Sequence, residues 1–149
     1  MVLAALLLSA AVSLQATPAF AAGAVAVGVG PRGPASGYAI GYGFNQPNAD
    51  AAKKQALQGC HGSTVTSGDP VNDSMRQARK NCRVVGTFDN QCIASAIDPK
   101  DGTPGVGWAV GNTQKEADEQ ALARCKSTAG SSREAFCTVE DRRCDGAAK

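Results

Sequence analysis

The chain has 149 residues, 19% of them charged, with 15 basic and 13 acidic side chains and a net charge of +2. A nucleic-acid binder shows a basic stripe laced with aromatics. Here the densest basic cluster, Arg76, Arg79, Lys80 and Arg83, has no aromatic beside it and reads as a solvated helix face.

The first 21 residues read as a signal peptide. Val2 to Val12 is apolar and uncharged, Ser13, Gln15, Thr17 and Pro18 follow, and Ala19-Phe20-Ala21 meets the small-x-small requirement for cleavage after Ala21. The usual positive n-region is missing, because Met1 is followed by Val2, so either the native start lies upstream or the signal is atypical. A membrane anchor needs about 18 or more apolar residues, and this run is shorter and broken. No cysteine precedes Cys60, which excludes a lipoprotein anchor. The expected product is residues 22–149, one secreted or periplasmic domain without a membrane span, long enough to bury a real core.

Ala24 to Val29 is rich in valine and small residues and predicts a strand; Pro31-Arg32-Gly33-Pro34 turns the chain, and Gly37 to Gly43 is the return strand. Tyr38-Ala39-Ile40-Gly41 reappears as Trp108-Ala109-Val110-Gly111, 70 residues later. The second hairpin is expected as Cys92 to Ile97, a turn over Asp98 to Gly105, and Val106 to Gly111. Each hairpin leads into a helix. Ala52, Ala56, Leu57 and Cys60 align with Ala117, Ala121, Leu122 and Cys125 at an offset of 65, which implies five extra residues before the first helix. Asn48 and Thr113 are the expected N-caps, and Thr113 with Glu116 forms a capping box. The helix faces carry small residues at helical spacing. Gly41, Gly43, Gly107 and Gly111 then read as points of close helix–strand approach; no phosphate-binding glycine fingerprint is present. A third strand closes each unit, at Arg83 to Phe88 and Thr138 to Glu140. The longer connection, His61 to Asn81, is polar; Val71 to Lys80 within it has helical character, and Asn72-Asp73-Ser74 is a formal glycosylation sequon.

The expected fold class is therefore α+β: a duplicated ββαβ unit, about 24–90 and 92–144, with antiparallel sheet(s), two helices packed on one face, and disulfide staples. One sheet of about six strands is the leading arrangement, and two small half-sheets facing each other are the alternative. All six cysteines follow residue 21, and an even count in an exported chain reads as three disulfides. A zinc site would want a closer cysteine pair than Cys137 and Cys144, and His61 is the single histidine, so no metal is expected. No cofactor is implied either. If the copies share a fold, equivalent cysteines pair equivalently. That selects Cys60–Cys82 and Cys125–Cys137, leaving Cys92–Cys144 to tie the two units together.

The ordered set G-Y-A-I-G-Y-G, an Ala-rich helix ending A-L-x-x-C, C-x-V-V-x-x-F-x-x-x-C, G-W-A-V-G-N-T and a second A-L-x-x-C resembles the secreted bacterial family of domain of unknown function 4189. The resemblance covers about Gly23 to Cys144. It implies an exported, duplicated, disulfide-bonded domain and offers no catalytic residues to carry over. The long His61 to Asn81 segment departs from the family pattern.

On function, His61 is the one imidazole available as a base, with Ser63, Thr64 and Asp69 close in sequence. Carboxylates for a glycosidase pair are present at Asp89, Asp98, Asp101, Glu140 and Asp141, but sequence singles out no two. A small hydrolase is accordingly the weakest reading, with no catalytic set identified. An exported binding or interaction module is favoured, its partner an unknown protein or an envelope or extracellular ligand rather than nucleic acid. Candidate contact residues are His61, Arg76, Arg79 and Tyr42, with the turns at Pro31 to Pro34 and Pro99 to Pro104. Tyr38, Tyr42 and Trp108 are groove candidates, although matched positions for Tyr38 and Trp108 favour core roles. A secreted inhibitor or host-directed effector acting through the 61–81 loop is the alternative.

Overall fold

Alternation between small and large residues along the strands decides the layering. The computed structural model describes residues 21–63, 73–100 and 102–149, the side chains of Asp73 and Ser74 excepted. The segment before Ala21 that reads as a signal, and the centre of the 61–81 connection with most of its sequon, lie outside them. Strand β1 (Ala22–Val29) pairs antiparallel with β2 (Tyr38–Gln46) on one side and β3 (Arg83–Asp89) on the other. Likewise β4 (Cys92–Ile97) lies between β5 (Val106–Gly111) and β6 (Thr138–Cys144). The six strands thus form two three-stranded sheets of the same order, the second of the two expected arrangements.

In β1, Ala24 and Ala26 face outward while Val25 faces inward, the period-2 pattern of a sheet covered on both faces. Outward alanines meet helix α1 (Ala49–His61) through Ala52, Ala56 and Cys60. On the second sheet, Ala94, Ala96 and Ala109 meet Ala117, Ala121 and Cys125 of α3 (Gln114–Ala129) in the same way. The inward residues are large: Val25, Ile40 and Phe88 from one sheet pack with Ile93, Ile97 and Val106 from the other. The order of layers is helix, sheet, sheet, helix, with each long helix on one face of its own sheet.

Both long helices begin as their caps predict. The Asn48 side chain accepts from the Ala51 amide and Thr113 from the Glu116 amide; Glu116 in return accepts from the Asn112 amide. A short helix, α2 (Asp73–Lys80), buries Met75 and Ala78 and keeps Arg76 and Lys80 on its exposed side.

The pairing register corrects the alignment of the two units. Gly41 faces the Ala56 carbonyl and the Cys60 amide of α1; Gly107 faces the Ala121 carbonyl and the Cys125 amide of α3. Gly107 is therefore the counterpart of Gly41, 66 residues on, and one extra residue precedes α1 rather than five. Trp108 then corresponds to Tyr42, not to Tyr38. The matching Y-A-I-G and W-A-V-G letters mislead because the first hairpin continues past Val27–Ile40 to Gly28–Ala39 and Val29–Tyr38, whereas the second ends at Ile97–Val106.

Cysteines 60 and 82, 125 and 137, and 92 and 144 are bonded. The third bridge does not tie the units together. Cys92 and Cys144 are directly opposed on β4 and β6, 3.9 Å apart at Cα, so it staples the second sheet internally. The link between sheets comes from the next residues instead. The buried Asp145 carboxylate accepts from the Asn45 amide at 2.5 Å, and the Gly146 amide donates to the Asn45 side chain at 2.8 Å.

One buried ion pair braces the second hairpin. Arg133 donates Nε to Asp98 Oδ2 (2.7 Å) and Nη2 to Oδ1 (2.5 Å), and its guanidinium stacks on Phe136. These bonds hold the Asp98 carboxyl at about 2, below its ordinary value of 3.8. A folded-state value below the unfolded one stabilises the fold above the unfolded value, and that stabilisation is lost as pH falls. We expect stability to drop between about pH 4 and pH 2. Asp98→Asn should be less stable at pH 7 and show a flatter acid limb in urea titrations, with an unchanged limb counting against this role.

Candidate functional site

Each inner corner between the sheets opens into a cleft, and the two clefts are built from equivalent positions. One, of about 270 Å³, is lined by Ile40, Gly41 and Tyr42 of β2 and by Gly59, Gly62 and Ser63 at the end of α1. The other, of about 380 Å³, is lined by Val106, Gly107 and Trp108 of β5 and by Arg124, Ser127 and Thr128 of α3. Helix residues correspond at an offset of 65 and strand residues at 66.

Their chemistry differs. In the second cleft Arg124 lies over the Trp108 ring at 5.5 Å and donates Nη1 to the Trp108 carbonyl at 2.6 Å. Trp108 reaches across to Gly86 on β3 of the facing sheet, beside Val25. At the matching places in the first cleft stand Gly59 for Arg124, Tyr42 for Trp108, Ser95 for Val25 and Asp141 for Gly86. Both third strands bulge at the same point, with Val85 as the extra residue in one and Glu140 in the other. The first cleft thus carries a hydroxyl and two carboxylates at the places that Val25, Val85 and Gly86 hold about the second.

Two buried phenols define it further. Among the described residues the Tyr38 oxygen is buried without a hydrogen-bond partner, a condition that costs about 1–3 kcal/mol; the Tyr42 oxygen is buried too, beside the Ser95 side chain. Burial pushes both phenol pKa values well above their usual range, and the Tyr42 phenol adds to the rise at Tyr38. Asp141 raises the Tyr42 value further, while Ser95 and Arg143 counter it. Both hydroxyls are therefore neutral, and a neutral phenol can both donate and accept. A larger hollow of about 660 Å³, beside Ala22 and Asn48, contains neither of these phenols.

Of the residues singled out from sequence, Tyr42 lines the polar cleft. His61 and Arg79 meet each other at its edge: the imidazole Nδ1 is 2.7 Å from the Arg79 carbonyl, and Arg79 Nη1 donates to the Ser63 carbonyl at 3.2 Å. With Cys60–Cys82 these bonds close the base of the 61–81 loop. Arg76 is exposed on α2 and does not line the cleft. Gly59 and Ser95 were missed, and Glu140 and Asp141 stood undistinguished among five carboxylates. A copy-against-copy comparison in the correct register would have found all four. No three His, Cys, Asp or Glu side chains among the described residues group to hold a metal ion. Nor is any helix among them long and apolar enough to cross a membrane.

The features together define an α+β fold stapled by three intramolecular disulfides, with a cleft at each inner corner between its sheets. Residues 22–144 match the profile of the family described as Domain of unknown function (DUF4189), and the chain belongs to that family. Neither the curated proteins nor the solved structures returned a match.

Proposed function

We propose that the chain is an exported binding module whose ligand enters the cleft between Tyr42 and Asp141. The observation that carries it is the buried Tyr38 phenol oxygen, without a hydrogen-bond partner among the described residues, in a cleft that also gathers Tyr42, Ser95, Glu140 and Asp141, since polar groups in such a place ordinarily find a partner. Three disulfides and the apolar start with its Ala19-Phe20-Ala21 site support export. Shared element order, strand order and bulge position support descent of both units from one ββαβ ancestor. In this reading one copy kept a cleft served by its own Arg124 and the other came to face carboxylates on the opposite third strand. A screen of small amines, guanidines, sugars and carboxylates by NMR is expected to give saturable shifts at Tyr42 and Ser95. Those shifts should be weakened by Tyr42→Phe. Silence from every class would overturn the reading.

The second reading, an inhibitor or effector acting through the 61–81 loop, is favoured by the closed base of that loop. Deleting 63–79 would remove Met75 and Ala78 from the core, so the deletion is confined to 64–72. If the loop is the contact surface, capture of an extracellular partner is lost in this variant while the cleft shifts persist; unchanged capture excludes it.

A further inference from the structure

We propose that the polar cleft binds a guanidinium group, as free arginine-like small molecules or as an arginine side chain of a partner peptide. This deepens the binding reading above and rests on it. The template is inside the molecule. In the Trp108 cleft the protein supplies its own guanidinium, from Arg124, which stacks on Trp108 and donates to the strand carbonyl. In the Tyr42 cleft the aromatic position is retained, but Gly59 stands where Arg124 stands in the other, so the chain supplies no guanidinium from that helix position. An incoming guanidinium takes, beside Tyr42, the part that the Arg124 head group plays beside Trp108.

The walls suit that group. A guanidinium brings five donors and no acceptor, and the lining offers acceptors in Tyr38, Tyr42, Ser95, Glu140 and Asp141 with no basic residue among its members. Carboxylates occupy the positions that Val85 and Gly86 hold about the Trp108 cleft, so the negative charge is particular to the Tyr42 cleft. A planar cation over a tyrosine face with a carboxylate alongside is the arrangement arginine recognition uses. Drug-sized ligands need about 300–1,000 Å³; a cleft of about 270 Å³ fits a single side-chain head.

Arg143 is the internal competitor. Its Nε lies 3.5 Å from Asp141 Oδ1 in an exposed pair, which a ligand guanidinium would displace.

The test uses the oxidised mature chain and NMR titration at Tyr42 and Ser95. Its probes are agmatine, a blocked Gly-Arg-Gly peptide and the matching Gly-citrulline-Gly peptide, which is nearly isosteric but uncharged. Saturable binding of agmatine or the arginine peptide is expected, tenfold or more tighter than the citrulline peptide. The tighter of the two guanidinium probes identifies the source. Asp141→Asn should weaken binding about tenfold, and Arg143→Ala should strengthen it. Gly59→Arg, which restores the Arg124 arrangement, should abolish binding with the far-ultraviolet circular dichroism and thermal unfolding retained. Should that variant misfold, the Asp141→Asn and Arg143→Ala pair decides by their opposite signs. Equal binding of citrulline, or no effect of Asp141→Asn, overturns the proposal. A sugar or carboxylate that shifts the same resonances while arginine is silent overturns the guanidinium assignment and leaves the binding module standing; silence from all probes overturns both.

Discussion

Gly41→Ala is expected to destabilise the fold by about 3 kcal/mol or more, in the overpacking range for a site that cannot relax, lowering the melting point by about 10 °C. A β-carbon on Gly41 would overlap the Cys60 amide nitrogen and the Ala56 carbonyl oxygen. Both are backbone atoms of α1, so no rotamer change makes room. The helix must lift from β2, opening the alanine layer formed by Ala39, Ala52 and Ala56. Gly107→Ala meets Ala121 and Cys125 in the same way and should cost as much. Gly86→Ala is the control: its β-carbon would sit 3.5 Å from Val25 Cγ1, an ordinary contact. Thermal melts of the three variants check this. An unchanged Gly41→Ala melting point would mean that α1 does not ride on the strand as closely as described.

Removing Cys92–Cys144 with paired alanines should cost about 4 kcal/mol by the loop-entropy relation, more than the other two bridges. Its closed loop spans 52 residues, against 22 for Cys60–Cys82 and 12 for Cys125–Cys137. The same relation gives about 3 kcal/mol for each of the shorter two. Urea unfolding of the three double variants should rank them in that order. A reversed order would show that residual structure in the unfolded chain, and not loop length, governs the effect. Because Cys92 is buried in the centre strand and α3 packs over it, the variant is also expected to loosen β6. Faster amide exchange at Asp145 and Gly146 would report that.

Much of this fold is legible in the residues. Alternation of alanine with valine in β1 announces a strand covered on both faces; Asn48 and Thr113 announce where helices start; equivalent cysteines select their own partners. The relation between the two units is harder. Sliding one hairpin by four residues preserves the face of every side chain, because strand periodicity is two. Nothing in the hydrophobic pattern therefore distinguishes Tyr38 from Tyr42 as the partner of Trp108. Only the contacts of Gly41 and Gly107 with their helices do. The candidate site was obscured for the same reason. Ser95 opposite Asp141, and Gly59 opposite Arg124 in the other unit, acquire meaning as symmetry-breaking substitutions once the register is right. Glu140 gains its position from a bulge, which sequence does not announce.

Trp108 is the one tryptophan in the chain, and its ring reaches Gly86 on the opposite sheet. Its emission consequently reports on the seam between the layers, at the corner served by Arg124. Separation of the sheets should shift that emission to the red, whereas a guest at the Tyr42 corner should leave it nearly unchanged. The molecule therefore carries a built-in optical gauge of whether its two halves are closed, independent of whether its cleft is occupied.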